Sequence, residues 1–320
     1  MKDAIKAAAR RAARGAAAFA LSVALALLAA ASPAAFRVYR PEPTAPVRSS
    51  LEPGRALKAI GAWVSGLAGG DGFVYVVGQT RWDARETMPR YAAVSFFYVV
   101  APGLAGISLG IVLGIAGGSG PRRRGAGLLG RALGTLYAVP EFILALALQL
   151  GALVALDALG FSVARISSDP RGGPVLALPF MLMAFYPFAF TYKAARRRAL
   201  EAAESDYVRY ARAKGLGEAL ISRRHLGAAV IPEIRSELPS IISLMQGNLF
   251  MCEYIFALPG VTRLLFTAAF PARGGLARSG EFQYPVAALV VIACFAVYAA
   301  AWGTYRIALA VARRGLSGER

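Results

Sequence analysis

The sequence predicts an all-α, polytopic membrane protein with about six transmembrane helices. Three observations carry that prediction. Hydrophobic residues make up 57% of the 320-residue chain and mean hydropathy is +0.51, above the balance of a soluble domain. Yet 36 Lys and Arg stand against 18 Asp and Glu, a net charge of +18. A nucleic-acid binder would spread these cations over a polar fold, whereas here they fall in blocks between apolar runs, as in the cytoplasmic loops of membrane proteins. Finally, several runs reach the ~20 apolar residues that a helix needs to cross the hydrocarbon core.

Taken in order, the first run is Gly15–Phe36. A basic Met1–Arg14 precedes it and Ala-Ala-Ser-Pro-Ala-Ala closes it, the outline of a cleavable signal peptide. Its 22 uncharged residues exceed a typical signal core and favour a retained helix. The stretch Arg37–Arg90, rich in Pro, Gly and Ala, follows, with Leu57–Leu67 readable as a short amphipathic helix and Phe73–Val77 as a strand. Tyr91–Pro121, Gly172–Tyr192 and Phe282–Tyr305 are charge-free. Ala132–Leu156 carries Glu141 and Gln149, and Leu238–Ala257 carries Gln246, Asn248 and Glu253. Inside a bilayer the backbone must satisfy its own hydrogen bonds, so each run is expected to be helical. Pro102, Pro140, Pro179 and Pro187 fit kinked helices in a bundle.

Counting Lys and Arg between spans sets the orientation. With the N-terminus inside, 23 of the 36 lie on the inner side and 13 on the outer, which predicts N-in and C-in. Arg122–Arg124 serves as a positive-inside anchor in that scheme. The expected organisation is a tail and first helix at 1–36, an extracytoplasmic segment at 37–90, a transmembrane domain at 91–312 with an inner loop at 193–235, and a cytoplasmic tail at 313–320.

Several chemistries are excluded. Cys252 and Cys294 are the two cysteines, both in apolar stretches, and His225 is the one histidine, so neither a disulfide framework nor a histidine-rich metal site is expected. A nucleotide-binding P-loop needs a lysine after glycine, and none of Lys2, Lys6, Lys58, Lys193 and Lys214 follows one. No hydrolase motif of the Gly-x-Ser-x-Gly or His-Glu-x-x-His kind is present.

The inner loop is the most informative stretch. Ala, Leu, Glu and Arg dominate it up to Lys214, which predicts helix. Asp206 is placed to cap a helical turn with Tyr207, Tyr210 and Ala211 on one face. Gly215 ends that helix, since glycine tolerates the left-handed conformation of a C-terminal cap. A second short helix is expected over Glu218–Ala229, stopping before Pro232, so that two short helices form a rigid knob.

Asp206-Tyr207-Val208-Arg209-x-Ala211-Arg212-Ala213-Lys214-Gly215-Leu216, followed by Arg224-His225 and Ile231-Pro232, resembles the cytoplasmic loop of binding-protein-dependent ABC importer permeases. The likeness is closest to the dipeptide, oligopeptide and nickel group of the MetI-like, type I fold. Val139-Pro140-Glu141-Phe142 in the third span and Glu253-Tyr-Ile-Phe-Ala-Leu-Pro-Gly260 after the fifth add weaker matches, and the resemblance covers about Tyr91 to the C-terminus. Glu201-Ala202-Ala203 falls out of frame with the family's Glu-Ala-Ala motif, and Arg273–Glu281 reads as an insertion.

The resemblance implies a bacterial inner-membrane permease subunit that forms half of a translocation pore beside a second, homologous permease. It implies two ABC ATPase subunits carrying ATP and Mg, no cofactor or metal on this chain, and an extracytoplasmic solute-binding protein. Peptide is the favoured cargo, with nickel, opine or sugar as alternatives. Asp206, Tyr207, Arg209, Ala211, Arg212, Ala213, Lys214, Gly215, Leu216, Arg224, His225 and Pro232 would form the ATPase-coupling loop. Glu141 and Glu253 have two readings: facing an aqueous pathway, as intramembrane carboxylates commonly do, or stabilising helix packing at membrane ends. A membrane-embedded enzyme or scaffold is the reading from another class.

Overall fold

The computed structural model describes residues 2–39, 48–77, 80–118, 123–160, 164–168, 175–269 and 282–317. Arg122, the start of the Gly172–Tyr192 run and the Arg273–Glu281 stretch lie outside the described residues. The chain falls into two compact units, one of Met1–Ala92 with Val261–Ala296 and one of Ala93–Gly260 with Val297–Arg320. Residues 37–90 fall in the first of these units.

The first unit opens with α1 (Lys2–Ala30), continues through the hairpin β1 (Phe36–Tyr39) and β2 (Arg48–Leu51), then α2 (Pro53–Gly69) and a second hairpin, β3 (Val74–Val77) and β4 (Thr80–Asp83). The first hairpin carries no signal in the sequence comparable to that of β3. Gly70 closes α2 at φ +88°. Trp63, the one buried residue of α2, donates from its indole nitrogen to Gly72 O at 3.2 Å and meets Tyr284 edge-on at 5.7 Å. Gln283 explains why a short hairpin stays put: its side chain accepts from Val76 N and donates to Val76 O, both at 2.8 Å, as an extra strand would. Tyr75, Val261, Leu264, Val286 and Val290 form the apolar core here.

The second unit takes α3 (Ala84–Gly118) from Ala93 onward, α4 (Arg123–Tyr137), α5 (Glu141–Leu159), α6 (Ala177–Ala203), α7 (Asp206–Ala213), α8 (Glu218–Leu220), α9 (Gly227–Ile255) and α11 (Tyr284–Ser317) from Val297. The short α10 (Val261–Leu264) belongs to the first unit. Leu182, Met183, Ile234, Leu238, Ile241, Ile242 and Met245 are wholly buried, so α6 and α9 form the centre of this core. Tyr305 of α11 donates to Val99 O at 2.6 Å. Five glycines of α3 face α6 and α11: a Cβ at Gly106 would lie 2.5 Å from Ala184 O, and one at Gly114 would lie 2.6 Å from Ala195 Cβ.

Six helices of 19 residues or more stand among the described residues: α1, α3, α5, α6, α9 and α11. Four apolar stretches long enough to cross a membrane lie at 13–35 (α1 and the turn after it), 84–118, 141–159 and 284–315. The 27-residue α6 and 29-residue α9 are long enough at ~1.5 Å per residue, but carry charges such as Lys193, Arg197, Glu233 and Arg235 at one end.

Two expected spans have different limits. The third does not begin at Ala132: α4 ends at Tyr137, Pro140 is extended (φ −56°, ψ 139°), and α5 starts at Glu141. Proline lacks the N–H to continue a helix and pushes its predecessor out of helical geometry. Glu141 thus begins the span rather than lying within it. The fifth span starts earlier than Leu238. Helix runs on from α8 through a π-helical turn at Ile221–Leu226 into α9, with Pro232 and Pro239 inside it. Burial of Val230, Ile231, Ile234 and Leu238 sustains the helix across both prolines, tertiary packing overriding a local breaker.

Candidate functional site

The loop between α6 and α9 is built outward from the α6–α9 core. After α6 the chain turns at Ser205, extended at φ −71°, ψ 151°, and enters α7. Ser205, not Asp206, holds the N-cap position, and its hydroxyl donates back to Ala202 O. Asp206 is fully exposed, its carboxylate 3.7 Å from Arg209, a surface pair of little energetic weight. The expected cap is thereby corrected. The expected face is corrected too: Val208 and Ala211 are buried while Tyr207 and Tyr210 stand exposed. An apolar pair three residues apart anchors α7 beside Ile221, Leu226, Ala202 and Ala203, leaving both tyrosines to solvent.

Gly215 closes α7 as the sequence predicts, at φ +76°. Gly215 N donates to Arg212 O at 2.9 Å and Leu216 N to Ala211 O at 3.3 Å, the paired bonds of a Schellman ending. Arg212 then ties three segments together. It donates to Glu218 at the start of α8 from Nε at 2.7 Å and from Nη2 at 3.4 Å, and to Ala203 O at the end of α6 at 3.3 Å. Hydrogen bonding from Arg212 holds the Glu218 carboxyl below its ordinary range. Whatever the pair contributes is thus present above the usual carboxylate range and fades only as pH falls below it, so it is intact near neutrality.

Glu218 is the residue that sequence reading misses here, although an acid at a helix start is a recognisable signal. The solvent face of the loop presents Tyr207, Arg209, Tyr210, Ala213, Lys214 and Arg224. Lys214 lies 4.4 Å from the Tyr210 ring centroid, and His225 sits 6.1 Å from that of Tyr207. Leu216 is part-exposed at the turn. Pro232 lies beyond the α7–α8 knob, an exposed residue within α9. Behind the loop lies an apolar cavity of about 940 Å³, bounded by Ile111 and Ile115 of α3, Ala308 and Ala312 of α11, and Ser222 and Arg223 of the π turn.

The two carboxylates have separate surroundings. Glu141 is half-buried at the first turn of α5, where a negative charge suits the helix dipole. Glu253 has no exposed surface and accepts a 2.5 Å bond from Ser95 Oγ. Leu258 N donates to Glu253 O at 3.0 Å, and a Cβ at Gly260 would overlap the carboxyl. Ala257 between them takes φ +54°, a strained value for a residue with a side chain. Glu253 is thus buried and hydrogen-bonded in the last turn of α9. Glu253→Ala and Ser95→Ala are each expected to lower stability by about 1–3 kcal/mol, because a buried polar partner is lost. Thermal unfolding of the detergent-solubilised chain measures this. A Glu253→Gln protein as stable as wild type yet inactive in uptake would instead return this carboxylate to the solute pathway.

Among the described residues no cluster of three or more His, Cys, Asp or Glu is placed to hold a metal. Comparison with known proteins identifies what carries such a loop. The chain is 31% identical to the dipeptide transport system permease protein DppB of Lactococcus lactis over 177 residues, 53% of this chain and 55% of that protein. It is 33% identical to a putative peptide transport system permease protein of Brucella abortus over 93 residues, 29% of this chain and 30% of that one. It is 36% identical to the oligopeptide transport system permease protein AmiC of Streptococcus pneumoniae over 70 residues, 22% of this chain and 14% of that one. The chain thus spans about half the length of the first of these relatives and less of the others. Residues 106–312, more than half of the chain and the whole of the loop, match one family throughout, and the protein belongs to the binding-protein-dependent transport system inner membrane components.

Proposed function

We propose that this chain is a non-catalytic permease subunit of an ATP-driven importer, lining half of a translocation pore beside a second, homologous permease. Two ATPase subunits supply ATP hydrolysis, and an extracytoplasmic binding protein delivers the solute. The observation that carries this reading is the α7–α8 knob: its interior is fixed by Val208, Ala211, Ile221 and Leu226, and its outer face displays Tyr207, Arg209, Tyr210 and Lys214. A rigid, exposed, charged unit continuous with a core helix is what a moving ATPase needs in order to drive the bundle. Peptide is the proposed cargo, in keeping with the dipeptide and oligopeptide names of the relatives. Copurification with an ATPase, and ATP hydrolysis stimulated by peptide-loaded binding protein in reconstituted vesicles, tests the assignment. A purified complex whose hydrolysis ignores every peptide but responds to nickel or a sugar would replace the cargo.

The proposed orientation has both termini and the 193–235 loop in the cytoplasm, with residues 37–90 outside. In a Cys252→Ala/Cys294→Ala background, an impermeant thiol reagent applied to intact cells is expected to label Leu57→Cys on α2 and to spare Arg224→Cys. Both positions are exposed, so the reverse pattern would invert the topology.

A further inference from the structure

The groove between α4 and α6 lies away from the α7–α8 knob, and it has the make-up of a headgroup site. Arg131, Lys193, Arg196 and Arg197 line a cavity of about 630 Å³ together with Tyr192 and Glu201. Two of these charges are already matched, Arg197 by Glu233 at 2.7 Å and Glu201 by Arg198 at 3.0 Å. Among the described residues Arg131, Lys193 and Arg196 make no ion pair. The Nε of Arg196 is moreover enclosed and has no hydrogen-bond partner among the described residues. An enclosed guanidinium nitrogen without an acceptor is costly unless an anion supplies one.

The α4 backbone makes the groove possible. Gly127, Gly130 and Gly134 face α6, and Cβ atoms there would lie 3.9 Å from Arg196 Nη2, 3.6 Å from the Tyr192 ring and 3.3 Å from Lys193 Nζ. Leu133 pins the helix by burying itself with Ala189 and Tyr192. Leu128, Leu129 and Leu136 are left exposed at 66%, 38% and 43%. A helix with apolar side chains outward and cations on the neighbouring face is the pattern of an element lying in the membrane interface.

We propose that this groove binds the headgroup of an anionic phospholipid, with Arg131, Lys193 and Arg196 on the phosphate and the acyl chains along Leu128, Leu129 and Leu136. Guanidinium groups pair with phosphate oxygens two at a time, and lysine adds a point charge. The three leucines argue for a lipid over a soluble phosphate, since only a lipid covers them as well as meeting the cations. The inference rests on the proposed orientation solely for naming the cytoplasmic leaflet, and the cysteine labelling tests that orientation separately.

The test is native mass spectrometry of the full-length chain from non-ionic detergent, titrated with phosphatidylglycerol, phosphatidylcholine or inorganic phosphate. Wild type is expected to retain phosphatidylglycerol at least about tenfold more tightly than phosphatidylcholine. Each cation near a lipid surface contributes about a fivefold factor, so Arg131→Gln/Lys193→Gln/Arg196→Gln is expected to lose that preference. The charge-matched Arg10→Gln/Arg14→Gln/Arg306→Gln is expected to keep it. Lys193→Gln alone, at an exposed position, is expected to weaken binding about fivefold and serves if the triple variant does not fold. Equal retention of the two lipids by wild type, equal losses in both triple variants, or displacement of phosphatidylglycerol by millimolar inorganic phosphate would each overturn the proposal.

Discussion

Gly215→Val is expected to abolish ATP-driven uptake while leaving the chain inserted and near normal in amount. Gly215 has φ +76°, where a β-branched residue costs about 1–2 kcal/mol. Nothing within 4 Å would meet the new Cβ, so the effect comes from the backbone rather than from a clash. The valine is relieved by leaving the left-handed region, and that breaks the bonds from Gly215 N to Arg212 O and from Leu216 N to Ala211 O. Arg212 then loses its alignment on Glu218 and Ala203, and α7 no longer presents Tyr207 and Tyr210 at a fixed angle to α8. The bundle core of Ile234, Leu238, Ile241 and Met245 is untouched, so folding survives. Copurified ATPase per permease, measured beside uptake, decides the matter. A Gly215→Val complex that retains its ATPase and transports at the wild-type rate would remove the loop from the coupling mechanism. Gly215→Asn, which tolerates the left-handed region better, is expected to fall between the two.

Much of this architecture is legible in the sequence, for reasons that particular residues make plain. The six long helices announce themselves because a bilayer leaves the backbone no other partners, so length and apolarity suffice. Gly215 is legible because only a residue without Cβ suits the end of α7. Features that depend on a distant partner are not legible. Ser95 and Glu253 meet across 158 positions of sequence, and nothing local distinguishes this carboxylate from one facing a water-filled path. Pro232 reads locally as a helix stop and is overruled by the burial of its neighbours. Pro140 reads as a kink within a span, yet α4 ends before it at Tyr137 and α5 begins after it at Glu141, because proline has no N–H with which to continue the helix. Asp206 looks like a cap by residue type, but Ser205 occupies the extended position where capping happens.

Gly110→Leu is expected to have the largest effect on the folded protein, and the reason lies in how α3 meets α6. Gly103, Gly106, Gly110, Gly114 and Gly118 recur every three or four residues, which places them on one face of a helix. Helices in lipid gain little from burying apolar surface against each other, so their association depends on close packing along such small-residue seams. At Gly110 a Cβ would lie 2.8 Å from Thr191 Cβ and 2.9 Å from Tyr192 N, and backbone cannot move aside as a side chain can. A leucine there forces the two helices apart over several turns, at a cost of about 3 kcal/mol or more. It also disturbs Tyr192, which packs with Leu133 of α4. Little folded chain is expected in the membrane fraction, and what remains should unfold at lower temperature. Gly303→Leu on α11 provides the contrast, since nothing lies within 4 Å of a Cβ there, and helix propensity favours the change by roughly 0.5–1 kcal/mol. Gly110→Ala should lie between them. Equal yield and equal melting temperature for Gly110→Leu and Gly303→Leu would mean that the α3 glycine seam does not hold the bundle together.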